Sequence, residues 1–503
     1  MINVYTNREN YQYDLHALLK SFYPEHDVRV YNERELDTQK DSGSQVIIRL
    51  LDDGMELTLD IDDRKEYVHT YKNDTECHDD RQSAFRKKYV HTYKSDTGVT
   101  KNDYKLSLYY DLCDYTGKTL PWGNLTGIRP TKLTMGMLEE GLCDEEIVAQ
   151  MKVTHAVSDE KAQLSLDIAR REKQILDRIH YEDGYSLYIG IPFCPTTCLY
   201  CSFTSYPIAV WRKRVQAYLQ ALFKEIDFVA EACRDKILDT VYIGGGTPTT
   251  LGADELDSLL QHVRDRFDFR QVKEFTVEAG RADSITREKL DVLKKHGVTR
   301  ISVNPQTMKD ETLKYIGRQH TVAQVKEAFH MARQAGFDNI NMDIILGLPG
   351  ELEADVQNTI DEITKLNPDS LTVHSLAIKR ASKLSQWIAE NGIETLRNTD
   401  ATMEIAQKGA YALGMKPYYL YRQKNMSGNF ENVGYAREGK YGIYNILINE
   451  EVQTIIALGA GSISKRVYPD GRIERSENMK DVALYIGKID EMIERKRGLL
   501  VLY

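Results

Sequence analysis

Three cysteines fall within eight residues, Cys194-Pro-Thr-Thr-Cys198-Leu-Tyr-Cys201, and that spacing constrains this chain more than any other feature. One disulfide cannot consume three thiols, and C-x3-C-x2-C lets a single tight loop aim three thiolates at one face of an iron–sulfur cluster. A [4Fe–4S] cluster with four cysteine ligands is complete, whereas three protein ligands leave one iron open to a small molecule. The alternative is a zinc site or buried free thiols. Zinc asks for a fourth Cys or His close by, and the nearest candidates, His180 and Cys233, lie outside the loop.

The chain has 503 residues, 42% hydrophobic and 28% charged, with a formal net charge of −10. That length allows roughly two to four domains with a large core. The negative balance argues against nucleic-acid binding and requires a locally basic pocket for any anionic substrate. No apolar run reaches the roughly 18 residues that cross a bilayer. The N-terminus, Met1-Ile-Asn-Val-Tyr-Thr-Asn-Arg8, is no signal peptide. The expectation is a cytoplasmic protein, without a membrane partner, whose cysteines stay reduced.

Residues 1–125 are polar, tyrosine-rich and short-stranded, and are expected to form an N-terminal α+β domain with no assigned role. Ser44 to Asp60 reads as a hairpin around Asp52-Asp53-Gly54. Lys65 to Thr75 recurs as Lys87 to Thr97, with nine of eleven residues identical at an offset of 22. Two copies are too few for a solenoid. A local duplication giving a loop or an extra strand pair accounts for them, with His69 and His91 as ordinary strand residues rather than metal ligands. Leu120-Pro-Trp-Gly-Asn-Leu-Thr-Gly-Ile-Arg-Pro130 punctuates the chain. A helical bridge over 126–180 follows, with helices at Thr131–Glu140, Cys143–Met151 and Ser158–Arg178.

From Ser186 strand and helix patterns alternate. Strands are expected at Leu187–Ile191, Thr240–Ile243, Glu274–Glu278, Arg300–Val303, Asn339–Ile345 and Ser370–His374. Helices are expected at Val215–Cys233, Ala253–Arg266, Arg287–His296, Val322–Ala335 and Glu353–Leu366. This is the pattern of an α/β open (β/α)6 partial barrel over 181–390, followed over 391–503 by a small C-terminal α+β extension that covers the substrate. Ligands of such sheets bind at the C-terminal strand ends. The distinctive motifs sit there: the cysteine loop after the first strand, Gly244-Gly245-Gly246-Thr247 after the second, Glu278 ending the third, Gln306 after the fourth and Asp343 within the fifth. Consecutive glycines let a ligand approach backbone closely, although a tight turn would also use them. Asp343 interrupts an apolar strand, and a buried carboxylate needs a partner.

The cysteine loop and its flanking motifs resemble radical S-adenosylmethionine (SAM) enzymes. Ser186-Leu-Tyr-Ile-Gly-Ile-Pro-Phe-Cys194, the glycine run, Phe275-Thr-Val-Glu278, the Gln306 loop, Gly317-Arg318, the Asp343 strand and Leu458-Gly-Ala-Gly-Ser-Ile-Ser464 together resemble the oxygen-independent coproporphyrinogen III oxidase family. The N-terminal 125 residues and Tyr418-Tyr-Leu-Tyr-Arg-Gln-Lys-Asn425 are similar to its HemZ-type coproporphyrinogen dehydrogenase branch.

The resemblance implies Cys194, Cys198 and Cys201 as ligands of a [4Fe–4S] cluster. It implies Tyr188, Gly244, Gly245, Gly246, Thr247, Glu278, Gln306, Arg318, Asp343 and Ala377 as SAM-binding residues. In that scheme the glycine run holds the amino group, Glu278 the ammonium or ribose, Arg318 the carboxylate, Asp343 the ribose, and Ala377 lies near adenine. It also implies oxidative decarboxylation of coproporphyrinogen III propionates to vinyl groups, the chemistry residing in the cluster and SAM, with a flavodoxin- or ferredoxin-type electron donor. Arg212, Lys213, Arg214, Lys379, Arg380, Arg422 and Lys424 are candidates for holding substrate carboxylates, each weighed against an ordinary solvated charge.

Two departures bear on the substrate. The better-studied oxidases carry a further Cys where Phe203 stands, as it does in related haem-trafficking proteins, and their C-terminal domain is longer. Against a trafficking role, the region matching the His-Asn-x-x-Tyr-Trp string of those proteins reads Glu431-Asn-Val-Gly-Tyr-Ala436.

Overall fold

The computed structural model describes residues 1–500 apart from 25, 37–43, 52–53, 62–86, 93–99, 128, 182, 204, 379–381, 393–395 and 424–429. Two compact units emerge, Met1–Leu166 with Arg422–Asn425, and Asp167–Tyr421 with Met426–Tyr503.

In the first unit β1 (Ile2–Thr6) runs parallel to both β2 (Val28–Asn32) and β3 (Ser44–Leu50). Antiparallel β4 (Gly54–Asp60) and β5 (Lys87–Thr92) complete a five-stranded sheet. The expected hairpin forms: Val46, Ile48 and Leu50 on β3 alternate inward with Met55, Leu57 and Leu59 on β4. One face is covered by Leu15, Leu18, Leu19 and Phe22 of helix Gln12–Phe22 and by Leu108 and Leu112 of helix Lys101–Thr116, the alternation of a sheet buried on one side. The second repeat copy supplies β5, where His91 pairs with Met55 as a strand residue. The first copy, His69, and Asp52 and Asp53 lie outside the described residues.

The Trp122 segment packs into this unit. Gly123 has φ +53°, and a Cβ there would lie 1.9 Å from the His155 carbonyl oxygen, so only glycine fits. Trp122 and Asn124 are fully buried, and the Asn124 amide donates to the same carbonyl at 2.9 Å. Arg422 is buried too. Its Nη1 donates to the Leu125 carbonyl oxygen at 2.5 Å, and the guanidinium lies over the Trp122 ring. This corrects the expectation for Arg422: its charge serves the unit's interior rather than a substrate. The helices that follow span Thr131–Glu139, Asp144–His155 and Asp159–Leu176, within a few residues of the bounds expected from periodicity and capping.

In the second unit all six expected strands form: β6 (Gly184–Ile191), β9 (Ile237–Gly245), β10 (Glu274–Gly280), β11 (Arg300–Val303), β12 (Ile340–Leu346) and β13 (Ser370–Ser375). They lie side by side in chain order and parallel, joined by helices Val215–Ala232, Ala253–Arg266, Arg287–Lys295, Val322–Gln334 and Glu353–Leu366. The strands are mostly buried, as expected of a parallel sheet covered by helices, with polar residues such as Glu278 and Asp343 set among the apolar ones. Each helix buries one stripe, as with Leu256, Leu259, Leu260 and Val263. Thr321 caps its helix by accepting from the Gln324 amide at 3.3 Å. The short strands β7 (Phe193–Cys194) and β8 (Tyr206–Pro207) pair with each other and bracket the cysteine loop.

The sheet extends past both ends of the six. Antiparallel β15 (Asn432–Ala436) and β14 (Lys416–Tyr421) add beside β13. Beyond β6 come parallel β16 (Thr454–Leu458), then β17 (Ile463–Val467) and β18 (Ile473–Glu477), giving eleven strands. The late C-terminal strands are thus continuous with the main sheet.

A buried ion pair fastens this second extension. Lys496 and Glu225 are both inaccessible and 2.7 Å apart. Glu225 also accepts from the Tyr485 hydroxyl at 2.6 Å, from Asn478 at 2.7 Å and from the Gly459 amide at 2.8 Å. Gly459, at φ +93°, presses so closely on β6 that a Cβ would sit 2.4 Å from the Gly190 carbonyl oxygen. Removing one partner of a buried pair costs about 3–5 kcal/mol, while replacing both is far milder. Lys496→Met should therefore lose stability of that order in chemical denaturation, and the double variant Lys496→Met/Glu225→Gln should recover part of it.

Candidate functional site

The cysteine loop begins where β6 ends. Cys194 closes β7, and the Thr247 hydroxyl donates to its sulfur at 3.6 Å. Burial pushes the Cys194 thiol up to about 11, so thiolate ligation must be driven by metal binding itself. Cys198 is buried and Cys201 half-buried on the same loop, while Cys113, Cys143 and Cys233 lie on other elements. Among the described residues no three His, Cys, Asp or Glu side chains converge on the position of one metal ion. Three thiols on one loop suit a cluster whose irons are each met by a different thiolate.

The loop is held from behind by a charged network absent from the expected site. Arg281, almost fully buried, donates to Thr196 Oγ1 at 2.6 Å, inside the cysteine loop. Thr196 in turn donates to the Gly317 carbonyl oxygen at 2.8 Å. Asp283 clasps the guanidinium with both oxygens, at 3.0 and 2.7 Å, and His320 Nδ1 lies 3.7 Å from the same carboxylate. Burial works against Asp283's charge, but His320 and Arg281 hold its carboxyl well below the usual range. The Arg-x-Asp pair immediately after strand β10 is the sequence trace of this network.

The glycine run packs against the same strands. A Cβ on Gly244 would lie 2.9 Å from Glu278 Oε2, and one on Gly246 would lie 2.6 Å from the Phe193 carbonyl oxygen. The Gly246 and Thr247 amides donate to Ile191 and Phe193 at 2.8 and 2.7 Å. Those amides are spent internally and are not available to a ligand. Glu278 is not a surface residue: the Tyr242 hydroxyl donates to it at 2.5 Å. Burial pushes its carboxyl up to about 7, the Tyr242 contact opposing the rise and nearby Asp343 adding to it. Tyr188 stacks with Tyr242 and Tyr444 beside it.

Across the site, Gln306 is a non-glycine residue at φ +68°, a left-handed conformation costing about 1–2 kcal/mol. Its amide donates to the Asp343 carbonyl oxygen and its carbonyl accepts from Ile345, both at 2.9 Å. Its side-chain Oε1 is buried with no hydrogen-bond partner among the described residues. Arg318 is similarly placed. Nη1 donates to the Asn304 carbonyl oxygen at 2.5 Å and Nη2 to the Tyr200 hydroxyl at 3.2 Å, while buried Nε has no partner. No carboxylate pairs with it among the described residues. Burial works against its charge, yet the Tyr200 hydroxyl and the Cys198 thiol keep its pKa above the ordinary value. A buried guanidinium lacking an anion and a strained amide oxygen lacking a donor fit a ligand that brings a carboxylate and a hydrogen-bond donor.

Asp343 finds part of the partnership that a carboxylate in this strand needs within the protein itself. It is half-buried, accepts from Asn341 Nδ2 at 2.6 Å and faces His374 Nε2 at 4.0 Å. Ala377 follows β13, half-buried. Of the basic candidates, Arg212 pairs with Glu255 at 3.0 Å and Arg214 lies over Trp211. Lys213 sits in an exposed turn, and Lys379, Arg380 and Lys424 lie outside the described residues. Lys480, which the sequence did not single out, lines a cavity together with Tyr188, Gly245 and Phe203.

Residues 188–363 match the Radical SAM superfamily. The chain is 44% identical over 387 residues to the oxygen-independent coproporphyrinogen-III oxidase-like protein HemZ of Bacillus subtilis, covering 76% of this chain and 77% of that protein. It is 37% identical over 195 residues to the heme chaperone HemW of the same organism, across 39% of this chain and about half (51%) of HemW. Among solved structures, the radical SAM coproporphyrinogen III oxidase HemN of Escherichia coli aligns with a TM-score of 0.50 at 22% identity, over 64% of this chain and 72% of HemN. The fold and its cysteine loop are those of a radical SAM protein, whose cofactors are a [4Fe–4S] cluster and SAM. Within that superfamily the chain belongs to the family of the coproporphyrinogen-III oxidase-like protein HemZ. No helix among the described residues is long and apolar enough to cross a membrane.

Partners one step removed from a metal's ligands are commonly worth 10–100-fold in metal affinity. Arg281→Gln should therefore speed iron release to a chelator by about 10-fold or more, while Cys113→Ala and Cys143→Ala release iron at the rate of the unaltered protein.

Proposed function

We propose that this chain is an enzyme that oxidatively decarboxylates propionate side chains of coproporphyrinogen III to vinyl groups, yielding protoporphyrinogen IX. The observation that carries this reading is the 44% identity to HemZ across three-quarters of both chains, which takes in the cysteine loop, glycine run, Gln306, Arg318 and Asp343 together. Each propionate loses one hydrogen atom from its β-carbon, its carboxylate as CO2, and one electron to an external acceptor. When bound, the cluster and SAM supply the 5′-deoxyadenosyl radical that removes such a hydrogen.

The residues bind and orient. Cys194, Cys198 and Cys201 hold the cluster. The Gly244–Gly246 segment and the Glu278 carboxylate receive the ammonium of SAM, with Tyr188 and Thr247 bounding that end. Arg318 takes the methionyl carboxylate as the anion it lacks. Gln306 and Asp343 hold the ribose side, and Ala377 adjoins the adenine. Tyr242 keeps Glu278 aimed inward. A flavodoxin- or ferredoxin-type donor in the cytoplasm supplies the reducing electrons.

Anaerobic incubation of the cluster-loaded protein with SAM, reductant and coproporphyrinogen III tests the reaction. Successive products lighter by one CO2 and two hydrogens, with one SAM consumed per propionate, are expected. The second reading, a haem-binding or haem-transfer protein, draws on Phe203 and on the HemW match. Stoichiometric haem binding with coproporphyrinogen unchanged and only uncoupled 5′-deoxyadenosine would move the assignment there.

Glu278 adds a pH dependence. Its carboxyl titrates near 7 instead of the usual 4.5, so the unliganded site is increasingly protonated as pH falls below 7, and an ammonium prefers the ionised form. SAM affinity should therefore rise about 5-fold to 10-fold from pH 6 to 7.5, below the range of about 7.7–8.0 where an α-amino group itself titrates. Titration calorimetry would show this slope, and Glu278→Gln should flatten it.

A further inference from the structure

A cavity of about 210 Å³ opens beside the cysteine loop. Tyr188, Gly190, Gly245, Phe203, Ala460 to Ser462 and Lys480 line it, and because Tyr188 and Gly245 are also assigned above to the ammonium end of SAM, a ring held here sits beside that end. Every lining residue is uncharged except Lys480, whose ammonium forms no ion pair or hydrogen bond among the described residues. Its neighbour Asp481 is engaged elsewhere, capping a helix through the Leu484 amide at 2.8 Å. The Lys480 main chain is fixed by the Tyr206 hydroxyl, which donates to its carbonyl oxygen at 3.3 Å. Phe203, two residues past the last cluster cysteine, is 69% exposed, an unusual position for a large apolar ring whose backbone is tied to a site. An exposed aromatic face and an unpaired cation, set around a small neutral cavity, match a flat apolar ring that carries a carboxylate.

Size narrows the occupant. Pockets that enclose a whole drug-sized molecule run to roughly 300–1,000 Å³, so this one admits a single substituted ring and leaves the rest of a macrocycle outside. We propose that Phe203 and Lys480 form the docking point for the substrate, the cavity taking one pyrrole ring, Phe203 covering its apolar face and Lys480 holding a carboxylate. This rests on the tetrapyrrole reading above. The carboxylate on Lys480 is one that does not react. A carboxylate leaving as neutral CO2 must give up its charge, and an ion pair opposes that. Lys480 therefore sets which arm is anchored while a neighbouring arm meets the reacting centre.

The test titrates cluster-loaded protein with coproporphyrin III, its tetramethyl ester and haem, following porphyrin fluorescence or absorbance, with SAM affinity and iron content as controls. A charge-assisted hydrogen bond at a partly exposed site is worth about a ten-fold change in affinity. Lys480→Gln should weaken coproporphyrin III and haem about ten-fold and leave the ester unchanged. Lys480→Arg should restore most of the loss. Phe203→Ser should weaken acid and ester alike. Steady-state KM for coproporphyrinogen III should rise in Lys480→Gln with kcat little changed. If the unaltered protein binds these ligands and Lys480→Gln binds the acids equally well, the docking point is wrong while the tetrapyrrole reading stands. If the unaltered protein binds none of the three and leaves coproporphyrinogen III unchanged, both fall.

Discussion

The Glu225 carboxylate, sealed from water, is the contact on which the arrangement of the site depends. It gathers a lysine from the C-terminal helix, a tyrosine, an asparagine and the Gly459 amide onto two oxygens. Tyr218, two turns earlier on the same helix and facing the same way, donates to the Gly190 carbonyl oxygen at 2.6 Å and accepts from the Ala460 amide at 3.1 Å. The glycine segment after β16 is thereby pinned against β6, the strand that launches the cysteine loop. A buried charge is tolerable only when its hydrogen-bonding capacity is filled. That demand ties residues 225, 459, 478, 485 and 496 into one cooperative unit.

Around that frame the site is electrostatically unfinished by design of its chemistry. On one side sits a carboxylate with a raised pKa. On the other lie a buried guanidinium without an anion and an amide oxygen without a donor among the described residues. In the reading proposed above, the ammonium and carboxylate of SAM answer the two charges and a ribose hydroxyl answers the amide oxygen. The Arg281–Asp283 pair is the opposite case. It is internally neutral and fully engaged, and it stiffens the cysteine loop through Thr196 without offering anything to a ligand.

The six parallel strands were legible because both faces are covered, so each reads as an apolar run bounded by a helix whose stripe and caps are also local. The parallel β1–β2 and β1–β3 pairs were not. Five-residue strands such as Ile2–Thr6 carry too short a pattern to name distant partners. The same holds for β14 to β18, whose neighbours in the sheet lie far away in sequence. At the site, cysteine spacing and the order of motifs pointed to the right strand ends. Arg422 misled because a cation suggests solvent, and only folding brings Trp122 over it. Arg281 and Lys480 were missed because a single charge in a loop has no periodicity, and its meaning lies in what surrounds it.

The backbone of Gln306 carries a consequence for how this family can change. Glycine would relax the left-handed turn and stabilise the unliganded fold, yet it would delete the unsatisfied oxygen that the proposed reading gives to the ligand. A bulkier or β-branched residue would lose the oxygen and deepen the strain. Selection for stability and selection for ligand retention therefore pull this one codon in opposite directions. A lineage that abandoned SAM while keeping the fold would be expected to drift here first, towards glycine, before it altered the cysteines.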